Sequence, residues 1–120
     1  MSTVSTILQA NLDRVFNERD AARRREAILE IYAADAKLYD PEATASGTDA
    51  IIGAVTHLLG SLPPTMTFVP VAPGMVNHDM EKLLWRGQLP DGTLVVTGTD
   101  VAQIDNGRIQ SIYVFVDAPA

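Results

Sequence analysis

Asp40 and Asp100 are the residues in this chain whose type and placement could do chemistry. Asp40 ends the run Ala36-Lys37-Leu38-Tyr39-Asp40-Pro41. Asp100 lies inside Leu94-Val95-Val96-Thr97-Gly98-Thr99-Asp100-Val101-Ala102-Gln103-Ile104. Side chains on a strand alternate between its two faces. Asp40 then shares a face with Ala36 and Leu38. Asp100 shares one with Leu94, Val96, Ala102 and Ile104, while Thr97, Thr99 and Gln103 take the other. A carboxylate on an apolar face is costly unless it is paired, hydrogen-bonded or protonated. Two such acids in one small chain point to a pocket that uses acids. Each also has a plainer reading. Asp40 could close an Asx turn ahead of Pro41, and a bulge at Gly98 would flip Asp100 outward.

The elements that must hold these acids follow from periodicity. Val4, Ile7, Leu8, Leu12, Val15 and Phe16 recur at helical spacing. Asn17-Glu18-Arg19-Asp20 interrupts the pattern, and Asp20 is the expected N-cap of a second helix over residues 21–33, with Ile28, Leu29 and Tyr32 inward. A short strand over 36–40 is stopped by Pro41. Thr48 or Ser46 is expected to cap a third helix whose stripe is Ile51, Ile52, Val55, Leu58, Leu59 and Leu62. Residues 65–76 are extended but broken by Pro70 and Pro73, which suits an edge strand or a bulge. Residues 82–89, 93–104 and 108–117 read as strands, and Asp105-Asn106-Gly107 is a strong hairpin signal. Helices segregated from an antiparallel sheet make an α+β fold, read as one domain over residues 1–120.

Bulk properties narrow the function. The 120 residues are 47% hydrophobic, enough for one real core. The net charge of −6 repels phosphate backbones and anionic lipid, so neither a nucleic acid nor a membrane partner is expected. With no cysteine, disulfides and thiolate chemistry are excluded, which is compatible with a cytoplasmic location. The first seven residues lack the basic-then-apolar pattern of a signal peptide. His57 and His78 form no metal-binding spacing, and neither a metal nor a cofactor is expected.

Other residues have mostly structural readings. Arg19 with Arg23-Arg24-Arg25 reads as a solvated helix face, with Arg14–Glu18 and Arg23–Glu26 at supportive spacing. His57 falls off the main stripe of its helix, and His78 reads as a turn residue. Asp117 is a third candidate acid, ranked below the other two. Trp85 reads as core or interface. Tyr113 and Phe115 alternate with Ile112, Val114 and Val116, so both faces of the last strand look buried and one is expected to pack a partner chain.

The segment Tyr32-Ala33-Ala34-Asp35-Ala36-Lys37-Leu38-Tyr39-Asp40-Pro41, followed by Ser46-Gly47-Thr48-Asp49-Ala50-Ile51, and the order of elements resemble the nuclear transport factor two-like superfamily. Within it the chain is most similar to ketosteroid isomerase, and SnoaL-like polyketide cyclases share the fold. The resemblance implies a cone: a curved antiparallel sheet wrapped around three N-terminal helices, with a pocket at the open end and two copies paired through their sheets. It implies catalytic roles for Asp40, as the base that shuttles a proton between carbons, and for Asp100, as a neutral acid donating to the developing enolate. An acid kept neutral by an apolar site is the established pattern for that enzyme. It puts Phe16, Tyr32, Leu38, Val55, Trp85 and Ile112 on the pocket wall. Phe16 stands where the isomerase has its principal tyrosine donor, and Val55 where it has a supporting tyrosine. Phenylalanine cannot donate a hydrogen bond, and losing such a donor costs on the order of 10²–10³ in rate.

Three functions follow as expectations. The first is cofactor-free enolisation of an apolar small molecule, as in an isomerase or cyclase. The second is a non-catalytic ligand-binding or dimerisation module, since fold does not fix function. The third and weakest is water activation by an Asp-Arg-Asp constellation, for which Arg86 is the only strand arginine that could join two aspartates.

Overall fold

The first helix begins at a residue that caps it. In the computed structural model, which describes residues 6–117, the Gln9 N–H donates to the Thr6 hydroxyl at 3.1 Å. The Thr6 N–H in turn donates to the Gln9 side chain at 2.9 Å. This capping box satisfies donors that the helix cannot. The Leu8 N–H reaches Glu81 Oε1 at 3.0 Å and so ties the helix to the sheet. Helix α1 (Ile7–Asn11) runs on into a π-helical stretch, Leu12–Phe16, whose Leu12, Val15 and Phe16 all face inward. Val4, the first member of the expected stripe, lies outside the described residues.

Asp20 caps α2 (Ala21–Ile31), accepting from the Arg23 N–H at 2.9 Å. The buried stripe is Arg24, Ala27, Ile28 and Ile31. Leu29, expected inward, is a third of a turn away from Ile28 and is 43% exposed. The helix ends two residues before the expected point because Tyr32 is already extended and pairs with Ile109. It opens β1 (Tyr32–Tyr39). A three-residue strand, β2 (Thr44–Ser46), folds back on β1; its single apolar residue left no alternation to detect. Helix α3 (Thr48–Gly60) is preceded by Gly47 at φ 85°, a left-handed position that takes the cap from the expected Thr48 or Ser46. Then come β3 (Thr67–Pro70), β4 (Met75–Asn77), β5 (Met80–Gln88), β6 (Leu94–Asp105) and β7 (Arg108–Val116).

The strands form one curved, unclosed sheet in the order β2-β1-β7-β6-β5-β3, with β4 also on β5. The sheet is mixed, whereas a wholly antiparallel one was expected. β1 and β7 run parallel, with Leu38 beside Ile112 and Tyr39 beside Tyr113. The reason is topological: α3 and the remaining strands separate the two, and a parallel pair needs such a crossover. Asn106 (φ 52°) and Gly107 (φ 75°) supply the left-handed pair for the β6–β7 hairpin. The helices fill the concave face, where Leu8, Leu12, Ile28, Ile51 and Val55 pack against Leu83, Ala102, Ile109 and Ile112.

Two of the arginines read as solvated are structural ties. Arg19 donates to the carbonyls of Leu59, Pro63 and Met66 at 3.1–3.3 Å, holding the end of α3. Arg24 is buried and donates to the Glu18 carbonyl at 2.7 Å and to Thr56 Oγ1 at 3.3 Å. Arg14 pairs with Glu30 at 2.7 Å rather than with Glu18. That pair is solvent-exposed and adds little to stability.

Candidate functional site

A cavity of about 390 Å³ lies between the helices and the ends of β6 and β7, and both aspartates line it. Its floor is buried: Leu12 and Phe16 from the π-helical stretch, Phe68 from β3, and Trp85 and Asp100 from β5 and β6. Its rim is exposed: Leu58 from α3 and Ser61 just after it, Pro41 and Glu42 after β1, and Val116 on β7. Leu12 and Phe16 share a helical face four residues apart. Phe16, Phe68 and Trp85 meet edge-on in sequence, with ring centroids 5.9 and 5.5 Å apart. The Asn17 side chain fixes Phe68 by donating to its carbonyl and accepting from its N–H, each at 2.7 Å.

Asp40 combines both of its sequence readings. Its Oδ1 accepts from the N–H groups of Glu42 at 2.8 Å and Ala43 at 2.7 Å, closing the turn that leads to β2. Its Oδ2 takes no bond from any described residue, and the side chain, half-buried, borders the cavity.

Asp100 faces inward, as strand alternation requires. The sheet irregularities fall at Gly87/Gln88 and Gln103/Ile104 and not at Gly98, so the outward flip does not occur. The residue is only 3% exposed. Its Oδ1 accepts from the indole N–H of Trp85 at 3.0 Å, and its Oδ2 has no protein partner among the described residues. Burial pushes the carboxyl up to about 7, and the Trp85 bond opposes that rise. Burial therefore favours the neutral carboxyl at pH values where an exposed aspartate would be ionised.

The other expected wall residues divide. Phe16 and Trp85 border the main cavity. Leu38 and Val55 border an adjoining recess of about 30 Å³, with Phe16 and Asp40. Tyr32 and Ile112 do not line the cavity. Ile112 sits between Leu38 and Ala102 in the centre of the sheet, under the helices. The cavity lies further along β7, where Val114 and Val116 meet it. Tyr32 is fully buried, and its hydroxyl donates to Asn11 Oδ1 at 2.8 Å. Burial, helped by the Asp100 charge, pushes its phenol well above the usual value, and the Asn11 bond acts the other way. A phenol so committed cannot donate to a ligand.

Further candidates point elsewhere. Arg86 lies on the exposed face of β5, opposite Trp85, so no arginine stands between the acids. Asp117 is exposed and accepts from the Thr97 hydroxyl. His57 is exposed on α3, and His78 is an exposed turn residue at φ 54°. Among the described residues, no group of three or more His, Cys, Asp or Glu side chains could hold a metal. No helix is long and apolar enough to cross a membrane.

Sequence reasoning missed Phe68, Leu58, Val96 and Val114 as wall residues. The stripe of α3 carried a signal: six apolar positions are more than the core uses, and Leu58 is left 40% exposed at the rim. Val96 could also have been found, because it shares the face of Asp100.

The combination of a helix-lined curved sheet and an acid-bearing apolar cavity defines a class. The chain belongs to the SnoaL-like domain family, whose family model matches residues 9–112. A candidate isomerase of that family from Agrobacterium tumefaciens is 28% identical, with a TM-score of 0.85 over 93% of this chain and 95% of that one. A candidate polyketide cyclase from Sinorhizobium meliloti shares the fold at 22% identity and TM-score 0.71, over 90% and 92% of the two chains. So does a protein of ketosteroid isomerase-like fold from Catenulispora acidiphila, in complex with trimethylamine, at 15% identity and TM-score 0.72, over 95% and 86%. No curated protein matches the chain.

Proposed function

We propose that this protein enolises an apolar ketone or enone, leading to isomerisation or aldol-type cyclisation, with no cofactor. The observation that carries this reading is that two carboxyls lining one apolar cavity have been given different environments. Asp40 keeps a free Oδ2 at the half-open edge, while Asp100 is sealed at the floor and biased toward its neutral form. Two carboxyls in such unlike environments can divide into base and acid.

In the forward step Asp40 Oδ2 takes the proton from the carbon next to the carbonyl. The C–H electron pair becomes the C=C bond of an enolate, and charge collects on the carbonyl oxygen. The proton on Asp100 Oδ2 is donated to that oxygen as a hydrogen bond. Asp40 then returns its proton to a different carbon, which completes an isomerisation. Alternatively the enolate carbon attacks a second carbonyl of the same molecule; the π pair of that C=O moves to its oxygen, which takes the proton held by Asp40, and a ring is closed. Phe16 supplies no second donor, so Asp100 acts alone. The cavity is lined by Asp40, Glu42 and Asp100 and by no lysine, arginine or histidine, which disfavours anionic substrates.

The test is exchange in D2O. Small apolar enones are incubated with the protein, and loss of the α-proton signal is followed by ¹H NMR. Exchange above the buffer rate is expected for ketones that raise the melting temperature. Ketones that bind yet never exchange would overturn the enzymatic reading. Three acids beside three aromatic rings also suit a substituted ammonium ion. Binding of tetramethylammonium without any ketone exchange would favour that ligand-binding reading.

Pairing of two copies belongs to the same proposal. The outer sheet face exposes Tyr113, Phe115 and Leu84, and Tyr113 stacks on Tyr39 at 4.6 Å. In a two-fold dimer this face would meet the same face of a second copy. Sedimentation is expected to show a dimer, and Phe115→Asp to shift it to monomer. A monomeric wild-type protein at high concentration would contradict the pairing.

A further inference from the structure

Trp85 and Gly98 face one another across β5 and β6. Any Cβ at position 98 would overlap both the Trp85 ring and the Phe115 carbonyl. Only glycine lets the indole lie across β6 at this point. Its reach ends at Asp100, two residues further along the same face, where the N–H meets Oδ1 at 3.0 Å. Phe68 holds the ring edge-on at 5.5 Å. Gly98 and Phe68 thus place the Trp85 ring, and its N–H reaches the carboxyl oxygen.

An indole N–H only donates, so the oxygen it meets must be an acceptor. When the carboxyl is neutral, one of its oxygens carries the proton and the other is carbonyl-like. The indole picks Oδ1 as the carbonyl-like oxygen. The proton is left to Oδ2, the oxygen with no partner among the described residues, on a side chain that lines the cavity.

We propose that Trp85 is the positioning residue of this site: by holding Asp100 Oδ1 as an acceptor, it turns the acid's proton on Oδ2 toward the bound molecule. The use of that proton rests on the enolisation reading, whereas its placement does not. The same bond is stronger to the ionised carboxyl than to the neutral one, so it holds back the rise that burial alone would cause. The other titratable groups around Asp100 are Tyr32 from β1 and, lining the same cavity, Asp40 and Glu42. The helices and β7 present only uncharged side chains to the cavity.

Because the chain has a single tryptophan, its indole N–H gives one side-chain cross-peak in a ¹H–¹⁵N spectrum. That peak is expected to move on titration, with a midpoint near the value of about 7 set for Asp100. It is expected to lose that transition in Asp100→Asn. Trp85→Phe keeps an aromatic ring over Gly98 and removes the donor. In that variant the Asp100 carboxyl, followed by its ¹³C shift, is expected to titrate about one pH unit higher. An indole peak that stays flat between about pH 5 and pH 9, or an unchanged Asp100 midpoint in Trp85→Phe, would overturn the proposal. No substrate is needed, so failure of the enolisation reading would show separately, as a titrating indole in a protein that exchanges no ketone.

Discussion

Asp40→Asn is expected to lower ketone α-proton exchange by about 10²–10⁴-fold, the usual contribution of a positioned base. The substitution is mild for the fold. An asparagine side-chain oxygen can accept the Glu42 and Ala43 N–H groups just as Asp40 Oδ1 does. What disappears is the free Oδ2 at the cavity edge, replaced by an NH₂ group that cannot take a proton from carbon. Turnover at saturating ketone should therefore collapse while KM and the melting temperature stay close to wild type. Equal turnover in both proteins would reduce Asp40 to a turn residue.

The second large effect concerns stability against pH, and its direction runs opposite to ordinary acid denaturation. Folded Asp100 keeps its proton up to about pH 7, whereas an unfolded aspartate loses it near 3.8. Between those values the folded state binds more protons than the unfolded state, so stability falls as pH rises. The contribution is fully present below about pH 4 and is lost as pH climbs through 7. A difference of that size corresponds to a loss on the order of 4 kcal/mol. Urea unfolding at a series of pH values checks this. Asp100→Asn, neutral at every pH and still able to accept from Trp85, should lack the decline. A wild-type protein that gains stability steadily from pH 4 to pH 7, with the variant parallel to it, would show that Asp100 is ionised in the folded state.

Much of this arrangement was legible before any coordinates. Alternation alone put Asp100 on the same face as Val96 and Ala102, and all three face inward. Asp20, the Asn106-Gly107 turn and the edge position of Pro70 followed from local chemistry that acts within a few residues. What escaped was decided at long range. The parallel pairing of β1 with β7 joins residues more than seventy positions apart. Tyr32 looked available until Asn11, on a different element, took its hydroxyl. Arg19 and Arg24 looked solvated because nothing local shows that α3 ends beside them. Trp85 read as core or interface, and it is buried. Its N–H found Asp100 only because Gly98 leaves a gap opposite, which is a property of strand register and not of sequence spacing.

Missing donors at Phe16 and Tyr32 shape the chemistry as much as the acids do. On the enolisation proposal, one neutral carboxyl is the sole proton donor to the oxyanion, and the site would suit ketones whose enols are already partly stabilised by conjugation or by a second carbonyl. Such substrates ask less of the oxyanion site than a simple ketone does.

A crystal structure with 2-naphthol, a flat apolar mimic of an enol, tests the shared cavity most directly. The naphthol hydroxyl should lie within hydrogen-bond distance of Asp100 Oδ2, with the ring against Phe68 and Trp85 and its edge beside Asp40 Oδ2. A ring held outside the cavity, or a hydroxyl turned to solvent with Asp100 untouched, would contradict the claim that both carboxyls serve one bound molecule.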